Sequence, residues 1–241
     1  MFKNKIILIT GGSSGIGEAT ALIFAQNGGD VAITYRNNKQ GADKVVEKIK
    51  EMGQRAFAIQ ADLVNENEAK NVIEEVMKEF GKIDVLINNA GRYIDGDEWN
   101  GASDIWLKSL QQNLVSVMSV SKYAIEVFQK QKNGVMANIS SRHGLDGQYD
   151  AISYAAAKAG VINVTQAYAK FLLPFGRANS ISPSATNAGY WLTASKEEIG
   201  EALINRPSHK FIEPEAVAKK IIFLASDEAS GITGQNFSVT E

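Results

Sequence analysis

Tyr154 and Lys158 stand four positions apart in Ser153-Tyr154-Ala155-Ala156-Ala157-Lys158. That spacing places them on one face of a helix. The run from Ala151 to Leu173 reads as one, being Ala-rich and free of proline until Pro174. A phenol titrates near about 10, and a neighbouring ammonium favours its ionised form. The pair is therefore suited to general acid–base work. The same spacing also occurs on ordinary amphipathic surfaces, so the surrounding elements have to decide between the two.

The 241 residues are 44% hydrophobic and 22% charged, a balance expected of a soluble globular chain with a sizeable core. A net charge of -2 gives no electrostatic footprint for a nucleic-acid partner. The absence of cysteine excludes disulfides, thiolate catalysis and cysteine metal sites, and fits a reducing interior. His143 and His209 have no ligand spacing, so no metal is expected. The first apolar run, Ile6 to Ile9, is too short for a signal peptide, and no stretch is long enough to span a membrane. A soluble, cytoplasmic protein without a membrane partner is the expectation.

Short β-branched runs alternate with helical patterns along the whole chain. Strands are expected at Lys5–Thr10, Val31–Tyr35, Arg55–Gln60, Ile83–Asn88, Gly134–Ile139, Ala178–Ser182 and Asn236–Val239. Helices are expected at Gly15–Asn27, Lys39–Met52, Asn65–Phe80, about Asp104–Gln131 without a break, Ala151–Leu173 and Glu215–Leu224. No linker or repeat interrupts them. This order predicts one domain over 1–241: an α/β, doubly wound Rossmann domain with a parallel sheet of about seven strands and helices on both faces.

Thr10-Gly11-Gly12-Ser13-Ser14-Gly15-Ile16-Gly17 joins the first strand to the first helix. Glycine there lets backbone N–H groups approach a pyrophosphate, and the helix N-terminus adds partial positive charge. The spacing is Gly-x-x-x-Gly-x-Gly rather than the commoner Gly-x-Gly-x-x-Gly. The second strand ends Tyr35-Arg36-Asn37 without a carboxylate. An acidic residue there would suit the ribose 2′-hydroxyl of NAD(H), whereas the Arg36 fork suits the 2′-phosphate of NADP(H). NADP(H) is the expected cofactor, with NAD(H) as the alternative.

The loop from Thr10 to Gly17, Asn88-Asn89-Ala90-Gly91 and Tyr154-x-x-x-Lys158 follow one another in this order. Together they resemble the short-chain dehydrogenase/reductase family from Lys5 to Val239. Within it, the chain most resembles the 3-oxoacyl-acyl-carrier-protein reductase branch, through Tyr35-Arg36-Asn37, Gln60-Ala61-Asp62 and Glu213-Pro214-Glu215. The resemblance implies hydride transfer between a nicotinamide and a small-molecule carbonyl or secondary alcohol. It implies a catalytic set of Asn113, Ser141, Tyr154 and Lys158, with Ser140 as runner-up to Ser141. Lys158 would also depress the Tyr154 pKa, and Asn113 would hold a water in a proton relay. It implies a cofactor seat of Gly11, Ser13, Ser14, Gly15, Ile16, Gly17, Arg36, Asp62, Leu63, Asn89, Ala90, Gly91, Tyr154, Lys158 and Pro183. Asp62 could in addition cap the helix that follows it. His143, two residues past Ser141, could touch substrate but is expected as an exposed loop histidine.

The pattern departs from the family after the sixth strand, where Pro183-Ser184 replaces Pro-Gly, and Thr186 falls early with Ala188 in its place. A catalytically degenerate dinucleotide-binding sensor or scaffold is therefore the alternative function. The resemblance implies a substrate lid at about 187–209, with Tyr190-Trp191-Leu192 as its aromatic and apolar surface. Lys130, Lys132 and Arg142 are the candidates for docking a carrier, but Phe175 stands where the family has an arginine, which counts against an acyl-carrier substrate. It also implies a homo-oligomer, tetramer or dimer, joined through the long helix and the Tyr154 helix.

Overall fold

The computed structural model describes residues 1–204 and 208–240. The strands are β1 (Ile6–Ile9), β2 (Asp30–Tyr35), β3 (Ala56–Gln60), β4 (Val85–Asn88), β5 (Gly134–Ile139), β6 (Gly176–Pro183) and β7 (Asn236–Val239). They form one seven-stranded sheet in the order β3-β2-β1-β4-β5-β6-β7, every neighbouring pair parallel. Residues of β1, such as Ile7 and Ile9, face one apolar cluster, and Ile6 and Leu8 face the other. Burial on both faces is why the strands read as continuous apolar runs rather than alternating ones.

The helices are α1 (Gly15–Gln26), α2 (Lys39–Glu51), α3 (Glu66–Phe80), α4 (Ser103–Leu110), α5 (Ser116–Gln131), α6 (Ile152–Leu172), α7 (Lys196–Ile204) and α8 (Pro214–Ala225). Phe24, Val45 and Ile221 bring α1, α2 and α8 onto one face of the sheet. Val72, Phe128 and Leu172 bring α3, α5 and α6 onto the other. The chain leaves β1 outward to β2 and β3, then returns to β4 on the opposite side of β1. This reversal opens a crevice at the carboxyl ends of β1 and β4, where such sheets hold their ligands.

Two expectations are corrected here. The long helix is not continuous: a π turn at Gln111–Val115 separates α4 from α5. Asn113 lies within that turn, and its Nδ2 donates to the Ser109 carbonyl at 3.0 Å, competing for a backbone acceptor of the helix. The second correction concerns α3, which is capped by Asn65, whose side chain accepts from Asn67 N, and not by Asp62. Asp62 instead accepts from Val64 N at 3.3 Å. The expected lid segment holds a short 3₁₀ turn at Gly189–Leu192 and α7; its residues 205–207 lie outside the described residues.

Candidate active site

The loop after β1 is tied firmly to its neighbours, and only Ser14 in it is exposed. Thr10 Oγ1 accepts from Asn89 N at 2.9 Å and Ala90 N at 3.0 Å, which locks the loop to the end of β4. Asn89 Nδ2 donates back to the carbonyls of Thr10 and Gly11, each at 3.0 Å. A side chain at Gly17 could not be accommodated, because its Cβ would lie 2.2 Å from the Gly11 carbonyl oxygen. Helix α1 starts at Gly15, and its N-cap Ser14 makes no side-chain cap. The donors of the first turn are thus left for an anion. Ser13 is buried and Ile16 is half-buried beside them.

The far end of the crevice carries Arg36 and Asp62. Arg36 is half-exposed, and its Nη1 comes to 4.0 Å of Asp62 Oδ2. The Leu63 side chain is buried in the apolar cluster under α3, so only its backbone is available to a ligand. Pro183 ends β6 in register with Val239. Thr186 turns inward and donates to the Ser184 carbonyl at 2.9 Å. Ala188 reaches the phosphate loop: a Cβ on Gly15 would lie 2.9 Å from the Ala188 methyl.

At the middle of the crevice, Ser141, Tyr154, Lys158 and Asn113 come together. Ser141 ends the extended chain after β5, accepts from His143 N at 3.2 Å, and is the side chain that acts to lower the pKa of Tyr154. Ser140 points the other way and donates to the Lys158 carbonyl at 2.7 Å, which holds α6 against β5. Lys158 is buried; its Nζ donates to the Ile139 carbonyl at 2.9 Å and lies 5.7 Å from the centre of the Tyr154 ring. Burial lowers its pKa to about 8.

Burial raises the pKa of Tyr154, and Ser141 acts in the opposite direction. Asn113 is fully buried and donates through Nδ2 to the carbonyls of Arg92 at 2.9 Å and Ser109. Its Oδ1 is buried without a partner among the described residues. A buried acceptor left unpaired is costly and points to a ligand or water of the working enzyme.

Tyr93 and Asp97 escaped the sequence reading, and His143 was placed wrongly by it. Tyr93 packs edge-on to Tyr154 at 6.2 Å and to Tyr190 at 5.3 Å, and donates to the Asp150 carbonyl at 3.0 Å. Burial first, then nearby carboxylates led by Asp150, push its pKa up to about 12. His143 is half-buried, not an exposed loop residue, and its ring stands 6.1 Å from that of Tyr154. Burial holds its pKa below the usual imidazole value. Asp97 is a buried carboxylate at the start of α6. Tyr93 and Asp97 lie in no periodic or glycine-spaced pattern, so sequence offered no signal for them, whereas the place of His143 two residues after Ser141 did. Among the described residues, no group of three or more His, Cys, Asp or Glu could hold a metal. No helix there is long and apolar enough to cross a membrane.

A doubly wound sheet with an anion-ready loop at its switch point, and a tyrosine–serine–lysine cluster beside it, defines a dinucleotide-dependent oxidoreductase. Comparison with known proteins narrows this class. A family model described as Enoyl-(Acyl carrier protein) reductase matches residues 11–241. The 3-oxoacyl-[acyl-carrier-protein] reductase FabG of Thermotoga maritima is 36% identical over 239 residues, 97% of this chain and 95% of its own. An NAD+-bound xylitol dehydrogenase superposes with a TM-score of 0.93 at 26% identity, covering 99% of this chain and 98% of that one. An actinorhodin polyketide ketoreductase with NADPH gives 0.91 at 25% identity, covering 100% of this chain and 98% of that one. The chain belongs to the short-chain dehydrogenase/reductase family and resembles its 3-oxoacyl-[acyl-carrier-protein] reductase branch.

Proposed function

We propose that this protein is an NADP(H)-dependent reductase that interconverts a ketone and a secondary alcohol, with Tyr154 as the proton donor and acceptor. The observation that carries the reading is the convergence of three side chains: Lys158 Nζ lies 5.7 Å from the centre of the Tyr154 ring, and it faces the same point beside Gly91 as the buried Asn113 Oδ1, unpaired among the described residues. The names of the relatives support reduction of a 3-oxoacyl compound as one form of the activity. The sensor or scaffold alternative loses ground because the catalytic set is complete and the relatives compared are enzymes.

A bound nicotinamide supplies or accepts the hydride. The phosphate loop, from Gly11 to Gly17, and the start of α1 hold its pyrophosphate. Asp62, Leu63, Asn89, Ala90 and Gly91 border its adenosine half, and Pro183 its nicotinamide end. Tyr154 gives its phenolic proton to the substrate oxygen in reduction and takes it back in oxidation; a raised pKa keeps it protonated, ready to donate, at neutral pH. Ser141 hydrogen-bonds the same oxygen and steadies the charge that develops there. Lys158 binds the nicotinamide ribose, and Asn113 Oδ1 holds a water that links Lys158 to solvent.

Arg36 is the basis for preferring NADP(H): it is the one strong anion partner at the end of β2, and no carboxylate precedes it there. Of the three basic residues available for a carrier, Arg142 is paired with Asp146 at 2.8 Å and Lys132 lies over the Phe175 ring. Lys130, Lys132 and Phe175 precede the starts of β5 and β6, at the edge of the sheet opposite the crevice, so within one chain they do not border its mouth, and a free small-molecule ketone is the substrate proposed. Tyr190 and Trp191 of the segment 187–209 would close over it. Exposed Leu107, Val115 and Met118 on the outer side of α4 and α5 support assembly into a dimer or tetramer.

Fluorescence titration with NADPH and NADH tests the cofactor assignment. NADPH is expected to bind more tightly, and Arg36→Ala to weaken it by about tenfold or more while leaving NADH unchanged. Equal loss for both cofactors would count against Arg36 as the 2′-phosphate partner.

A further inference from the structure

Helix α6 carries Tyr154 in its first turn but has no cap of its own. Its N-cap residue is Ala151, which offers no side-chain acceptor. The donors of that turn are met by a carboxylate from another part of the chain. Asp97 Oδ1 accepts from Ser153 N at 2.9 Å and Ser153 Oγ at 2.5 Å, and Asp97 Oδ2 accepts from Tyr154 N at 2.7 Å. The Asp97 carbonyl takes the Ile152 N–H at 2.9 Å. Asp97 is fully buried. A buried carboxylate is tolerated only where donors and positive charge compensate it, and here three donors and the positive end of α6 do so.

The segment that holds Asp97 joins β4 to α4 and touches every part of the site. Its first residues, Asn89 and Ala90, are bonded to Thr10 and Gly11 of the phosphate loop. The Arg92 carbonyl holds Asn113. Tyr93 packs on the ring of Tyr154. Asp97 then fixes the backbone of Tyr154 itself. One stretch of backbone thus sets the distance between the cofactor loop, Asn113 and the tyrosine.

We propose that Asp97 is a positioning residue for Tyr154, fixing the first turn of α6 so that the phenol meets the substrate oxygen at the nicotinamide. The proposal rests on the reading of Tyr154 as proton donor. It makes a specific demand on chemistry. Both carboxylate oxygens accept a backbone N–H, whereas a carboxamide has only one accepting oxygen. In either orientation an asparagine would turn its NH₂ group against a backbone donor.

The test compares wild type with Asp97→Asn and Ser153→Ala in NADPH-dependent ketone reduction, well below the melting temperature of each. NADPH affinity and melting temperature are measured on the same samples. Asp97→Asn is expected to lower kcat by on the order of 10–100-fold, with ketone KM and NADPH affinity within about threefold. Ser153→Ala, which leaves both backbone bonds intact, is expected to keep kcat within about threefold. A folded Asp97→Asn with wild-type kcat and only a lower melting temperature would overturn the proposal, since the carboxylate would then serve stability alone. Should Asp97→Asn not fold, Asp97→Glu takes its place: it keeps both acceptors but moves them by one methylene, so a fall of about tenfold or more in kcat supports the proposal and a wild-type kcat overturns it. Tyr154→Phe is assayed alongside. A wild-type rate in that variant would overturn the proposal together with the reading beneath it, and so separates that failure from one of Asp97 alone.

Discussion

Asn113 Oδ1 and Lys158 Nζ face the same point beside Gly91. A Cβ built on Gly91 would lie 2.6 Å from the first and 3.3 Å from the second. Only glycine leaves that point free, and its φ of +154° is one that other residues rarely adopt. The π turn aims Asn113 inward from α4 and α5, and α6 brings Lys158 from the other side.

Gly91→Ala is accordingly expected to lower kcat by about tenfold or more, since a methyl would stand between the two polar groups. Backbone strain should cost about 1–3 kcal/mol of stability as well. Steady-state kinetics on the folded fraction check the first effect and thermal melting the second. Unchanged kcat would mean that the gap between Asn113 and Lys158 is not used in turnover.

Lys158 should weaken the fold at neutral pH. Its pKa is about 8 in the folded chain, down from an ordinary 10.5 because of burial. Between those values the unfolded chain holds a proton that the folded chain does not, so this group's contribution to stability rises with pH across that window. Below about 8 the full penalty applies, on the order of 3 kcal/mol. Lys158→Met is expected to melt higher than wild type at pH 7, and the difference should shrink toward pH 10. A difference that grows with pH would contradict the sign.

Ser141→Ala should alter the pH dependence of the reverse reaction as well as the rate. On the proposed mechanism alcohol oxidation needs the Tyr154 phenolate, and Ser141 is the neighbour that acts to lower the Tyr154 pKa. Its removal raises that pKa further, so the alkaline rise in oxidation rate is expected to move to higher pH. A profile shifted to lower pH would show that Ser141 does not lower the Tyr154 pKa in the working enzyme.

The sheet was legible because its strands are buried on both faces, so residues such as Ile6–Ile9 and Val31–Tyr35 form unbroken apolar runs. The phosphate loop and the Tyr154–Lys158 pair were legible because each depends on local spacing. The break at Asn113 was not, because Leu110 to Val115 reads as ordinary helix and the Asn113 side chain bonds back to its own helix. Asp97 and Tyr93 were missed for a different reason, and the burial of His143 was misjudged for the same one. They meet Tyr154 only after separate loops fold against α6, across sequence gaps that no periodicity marks.

The central claim is that Tyr154 transfers the proton. The direct measurement is the turnover of Tyr154→Phe with a ketone and NADPH, beside its NADPH affinity. Loss of one hydroxyl should reduce kcat by about 10²–10⁴-fold and leave NADPH binding within about threefold of wild type. A variant that binds NADPH and turns over at the wild-type rate would contradict the account.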